Sequence, residues 1–110
     1  MPKPKLTAEI KLQVDALVAR FNVEQLRGKP WAHYVTNYRG AHLYLGRQVG
    51  GRFGPICRLT YTGDMSRWEF AIYKYSDEAY DPDEWFFSGA EEVDGTIEGA
   101  MRAGLKAYPR

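Results

Sequence analysis

A chain of 110 residues, 45% hydrophobic and 26% charged, is long enough for one packed core and too short for two domains of ordinary size. A formal net charge of +1 argues against indiscriminate nucleic-acid binding, and a single cysteine excludes an internal disulfide. No window approaches the ~18 apolar residues of a membrane span, and Met1-Pro2-Lys3-Pro4-Lys5 lacks the apolar centre of a signal peptide, so a cytoplasmic protein without membrane attachment is expected.

Residues 1–110 read as a single domain in which 1–6 form a flexible, basic N-terminal tail. Thr7 suits an N-cap, and Glu9 places a negative charge in the first turn, where the helix dipole favours it. Ile10, Val14, Leu17, Val18 and Phe21 recur at helical spacing, and Arg27, Gly28 and Pro30 mark a stop, so the first helix is predicted over Ala8–Arg27. Trp31–Asn37 is ambiguous between a loop and the start of a strand. Tyr38–Arg47 reads as a strand with Ala41, Leu43 and Leu45 on one face and His42 and Tyr44 on the other. Gly46–Pro55, with four glycines, reads as a mobile connection carrying Arg47 and Arg52.

The next segment is a hairpin whose register can be counted. With Gly63–Ser66 as a four-residue connection, Tyr61 opposes Trp68, Leu59 opposes Phe70 and Cys57 opposes Ile72, making one face uniformly apolar. The other face pairs Thr60 with Glu69 and Arg58 with Ala71. A one-residue slip would place Trp68 opposite Thr60 and mix the two faces, so the pattern specifies its own register. Cys57 on the apolar face is expected to be a reduced core thiol.

Ser76–Phe87 breaks the β pattern at Asp81-Pro82-Asp83 and closes on Trp85-Phe86-Phe87, which must dock on something. Asp94 is the expected cap of a second helix from about Gly95 to Tyr108, with Ile97, Met101, Leu105 and Tyr108 as its stripe. Its glycines predict close backbone approach to the sheet. The expected fold is therefore α+β, in α-β-β-β-α order: a three-stranded antiparallel sheet with two helices packed on one face. That order resembles the double-stranded RNA-binding domain, in order alone. The resemblance would imply a basic cluster at the start of the second helix, where this chain has Glu91-Glu92-Val93-Asp94-Gly95, and no functional residue carries over.

Charge is segregated. Residues 39–75 hold six basic and two acidic side chains, whereas 76–99 hold nine acidic and none basic. Either the acids neutralise basic neighbours across the fold or they create a field that orders partners. The acidic loop Asp77, Glu78, Asp81, Asp83 and Glu84 lacks the spacing of an EF-hand, and the glycine-rich basic loop with Arg47 and Arg52 lacks Walker and Rossmann spacing, so no metal and no cofactor is expected. His33 and His42 are the only histidines, and neither sits in a recognised ligand motif. Cys57 and His42 should project to opposite sheet faces, which disfavours a thiol–imidazole pair. The open sheet face, with His42, Tyr44, Arg58 and Tyr73, is the candidate binding surface. The expectation is a non-catalytic interaction domain, a homodimer or a binder of another protein. A single-stranded nucleic-acid module stacking bases on the open face is the alternative, disfavoured by the acids, and a small cofactor-independent enzyme is the third reading.

Overall fold

The computed structural model describes residues 4–109, so the first three residues of the expected tail lie outside the described residues. Leu6, assigned to that tail, is only 7% exposed and belongs to the core. Helix α1 spans Ala8–Gln25, and Thr7 Oγ1 accepts the Ile10 amide at 3.2 Å as its cap. A 3₁₀ turn at Pro30–Ala32 leads into five strands: β1 Tyr34–Arg39, β2 His42–Val49, β3 Arg52–Thr60, β4 Glu69–Lys74 and β5 Ala79–Asp81. A second 3₁₀ turn, Ala90–Glu92, precedes helix α2, Ile97–Ala107.

The expected three-stranded sheet is thus corrected to a five-stranded antiparallel meander in the order β1-β2-β3-β4-β5, and the likeness in order to the double-stranded RNA-binding domain lapses with it. Three local features account for the difference. The predicted strand Tyr38–Arg47 is two strands folded at Gly40-Ala41, with Arg39 opposite His42. The glycine-rich "mobile" segment is a β-hairpin: Val49 opposes Arg52 across Gly50 and Gly51, whose φ of 59° and 78° supply the two left-handed residues of a tight hairpin turn. A shift of register between Leu45 and Gly46 lets the paired strands bend there. Lastly, β5 is three residues hidden inside the acid block.

The counted register holds. Cys57 opposes Ile72, Arg58 opposes Ala71, Leu59 opposes Phe70 and Thr60 opposes Glu69. Beyond the ladder, the Tyr61 and Trp68 rings lie 4.9 Å apart, and Thr62 Oγ1 donates to Arg67 O at 2.6 Å.

Both helices cover one sheet face. Leu43, Leu45, Cys57, Leu59 and Ile72 are buried beneath Val14, Val18, Phe21, Ile97 and Met101, each large side chain contributing ~1.5–3 kcal/mol of burial. β1 faces the helices with polar-tipped residues. Tyr34 Oη donates to Met101 O at 2.7 Å, and Tyr38 Oη and Thr36 Oγ1 both reach Asp15 on α1, at 2.5 and 3.2 Å. The second cap differs from expectation. Thr96, not Asp94, caps α2 by accepting the Gly99 amide at 3.0 Å, while Asp94 Oδ1 accepts the Thr96 amide and hydroxyl. A Cβ on Gly104 would collide with the Tyr34 hydroxyl and with Ile56, so this glycine sets how closely α2 approaches the sheet. No helix among the described residues is long and apolar enough to cross a membrane.

Candidate binding surfaces

Pleating places His42, Tyr44, Arg58 and Tyr73 on the sheet face away from the helices, together. They do not form an open aromatic platform. Tyr80, which sequence reasoning missed, stands opposite Tyr73 on β5 and reaches back over Arg58. Its ring lies 5.3 Å from Tyr44 at 59° and 4.9 Å from Tyr73 at 68°, and the Arg58 guanidinium sits 5.5 Å from its centroid. Tyr73 continues edge-on to Tyr75 at 4.8 Å, and Tyr75 to Tyr108 beyond α2 at 5.4 Å. At the other end His42 meets Tyr44 at 6.0 Å and bonds Thr60 Oγ1 through Nδ1 at 2.9 Å. Hydroxyls brace this ladder: Tyr75 Oη donates to Pro55 O at 2.8 Å, and Tyr108 Oη donates to Tyr73 O. Burial pushes the Tyr80 phenol upward, so it stays neutral. Tilted and edge-on contacts occupy ring edges and faces against each other. Tyr44, Tyr73 and Tyr80 are each half-buried in these contacts.

The two arginines assigned to one basic loop part company. Arg47, inside β2, is 3% exposed with its guanidinium 5.8 Å from the Tyr34 ring centroid, on the helix side. Arg52 begins β3 and is exposed at the hairpin end. Near it lies a groove of about 660 Å³ between the β2–β3 hairpin and the end of α2, walled by Val49, Pro55, Ile56, Ala107 and Tyr108. Its walls are predominantly apolar.

The acidic loop is organised by one lysine. Lys74 Nζ lies 3.4 Å from Asp77, 3.8 Å from Asp81 and 3.3 Å from Glu84, with Glu84 contributing most to raising the ammonium's pKa. An ammonium thus stands where a cation ligated by these carboxylates would. A second set follows: Lys106 pairs with Glu91 and Glu92 at 3.0 and 2.8 Å, and Arg102 with Glu92 and Asp94 at 3.1 and 3.5 Å. Lys106 and Arg102 hydrogen bonds hold the Glu92 carboxyl below its usual pKa. Six of the nine acids in 76–99 thus share three cations, Lys74, Arg102 and Lys106, which offset part of the segregated charge. Glu78, in a left-handed conformation at φ 51°, and Asp83 make no ion pair among the described residues.

Next to this loop stands the feature that the sequence left undocked. Phe87 stacks on Phe70 at 5.9 Å and Trp85 leans on it, tilted by 37° at 6.0 Å, at the margin of the helix-side core. Glu84 accepts the Phe86 amide through Oε1 at 2.9 Å while Oε2 holds Lys74. Two anchored aromatics and one bridging carboxylate fix the backbone between them, and Phe86 projects outward with 99% of its surface exposed. Trp85 adds a ring that is 46% exposed.

Groups with reactive potential are kept apart. Cys57 is fully buried on the helix side, and burial pushes its thiol pKa well up. His42 lies on the opposite face, and His33 Nε2 bonds Leu26 O at 2.9 Å. Among the described residues no three His, Cys, Asp or Glu side chains gather as a metal site would require. No protein-family model, curated protein or solved structure matches the chain.

Proposed function

We propose that this chain is a cytoplasmic protein-interaction module, acting by binding rather than catalysis, and that its anchor is the Trp85-Phe86 knuckle. One observation carries the reading: Phe86 is 99% exposed between two aromatics packed on Phe70, with its amide bonded to Glu84. Leaving a phenyl ring in water forgoes ~1.5–3 kcal/mol of burial, and a pre-ordered aromatic is the kind of residue that dominates protein interfaces. Asp83, which has no ion pair among the described residues, stands beside it, so a partner offering an apolar socket with a basic edge suits the site.

The open sheet face supports nucleic-acid binding less well. Its tyrosines are engaged with one another, and Arg58 is spent on the Tyr80 ring.

Site-specific photo-cross-linking tests the proposal. With p-benzoylphenylalanine at position 86, protein adducts should form in cells, to this chain or to another. The same probe at position 44, on the ladder, should give few. Adducts at 44 that vanish with nuclease, together with none at 86, would refute the proposal in favour of the nucleic-acid reading.

A further inference from the structure

The knuckle and the apolar groove are complementary, one an exposed aromatic projection and the other a concavity with mostly apolar walls. Neither the knuckle nor its platform Phe70 lines the groove, whose walls come from the β2–β3 hairpin, Tyr75 and the end of α2. The groove's volume of about 660 Å³ lies within the ~300–1,000 Å³ of sites that enclose small aromatic molecules, enough for a phenyl ring and part of an indole. Arg52 at its lip has no ion pair among the described residues, and neither has Asp83 beside the knuckle.

We propose that the Trp85-Phe86 knuckle of one copy seats in the groove between the β2–β3 hairpin and the end of α2 of a second copy, with Asp83 meeting Arg52. This rests on the reading of the knuckle as a protein anchor and names the partner as the chain itself. Each copy offers one knuckle and one groove, so the contact either closes reciprocally about a two-fold axis or propagates into a ring or an open string. A contact centred on two aromatic side chains, each burying ~150–250 Å², falls in the small, reversible class of interface.

A complementation experiment in the analytical ultracentrifuge tests it. The wild-type chain should gain weight-average mass with concentration between about 1 μM and about 1 mM. Phe86→Ser, which keeps the groove, and Val49→Asp/Arg52→Asp, which keeps the knuckle, should each stay monomeric. Mixed in equal amounts they should form a dimer and nothing larger, since each supplies the half that the other lacks. Arg52→Asp alone, at an exposed residue, should weaken association about two- to fivefold, and a copy carrying Asp83→Arg should restore it. A monomeric wild type throughout would overturn this inference, while leaving the cross-linking test at position 86 to judge the protein-anchor reading separately. Association by the groove variant equal to wild type, with Phe86→Ser monomeric, would also overturn it, because knuckles would then be pairing with knuckles.

Discussion

Two aromatic regions of this molecule are built from similar side chains and do opposite things. On and beside the open sheet face, Tyr44, Tyr80, Tyr73, Tyr75 and Tyr108 meet in a chain of tilted and edge-on contacts, with the Tyr75 and Tyr108 hydroxyls tied to backbone carbonyls. At the knuckle, Trp85 and Phe87 lie on Phe70 and the ring between them is left in solvent. Aromatic content by itself therefore does not locate a binding surface. What distinguishes the two regions is whether the rings satisfy one another.

The largest effect should come from removing the knuckle's platform. Phe70→Ala is expected to cost about 3–5 kcal/mol in urea unfolding, since it opens the core margin and releases Trp85 and Phe87 together. Tyr80→Ala should cost about 1–3 kcal/mol, because it removes the ring that joins Tyr44 to Tyr73 and covers Arg58. A cost below about 0.5 kcal/mol would mean that the ladder is not a structural cluster, and would return its tyrosines to candidacy as a binding face. Phe86→Ser should change stability by less than about 0.5 kcal/mol while abolishing association, the reverse of Tyr80→Ala.

The smallest effect concerns acid. Glu91, Glu92 and Asp94 have folded-state pKa values held below their ordinary ones, Glu91 chiefly by a backbone hydrogen bond, Glu92 by Lys106 and Asp94 by Thr96. A depressed carboxylate contributes stability above its unfolded pKa and loses it as pH falls through the folded value. The melting temperature should therefore decline below about pH 4.5, and Lys106→Met should flatten that decline. These groups are exposed, so the effect should also shrink in high salt.

Much of the fold was legible because burial imposes a pattern. The β3–β4 register followed from alternation alone, as Cys57, Leu59 and Tyr61 have partners of one kind and Arg58 and Thr60 of another. β1 was not legible because its buried face is Tyr34, Thr36 and Tyr38, whose polar tips bond to Met101, Asp15 and α1, and such residues do not score as apolar. β5 was obscured by its three-residue length and its setting among acids. Losing β5 also lost Tyr80, the ring that joins Tyr44 to Tyr73 and covers Arg58. The exposure of Phe86 was beyond any local pattern, since it depends on which neighbours Phe70 accepts.

The most direct measurement is an aromatic ¹³C–¹H spectrum of Phe- and Tyr-labelled protein recorded from about 20 μM to about 1 mM. The account predicts that the Phe86 ring resonances shift with concentration while those of Tyr44, Tyr73 and Tyr80 stay fixed. Movement of the ladder tyrosines with Phe86 unchanged would contradict it.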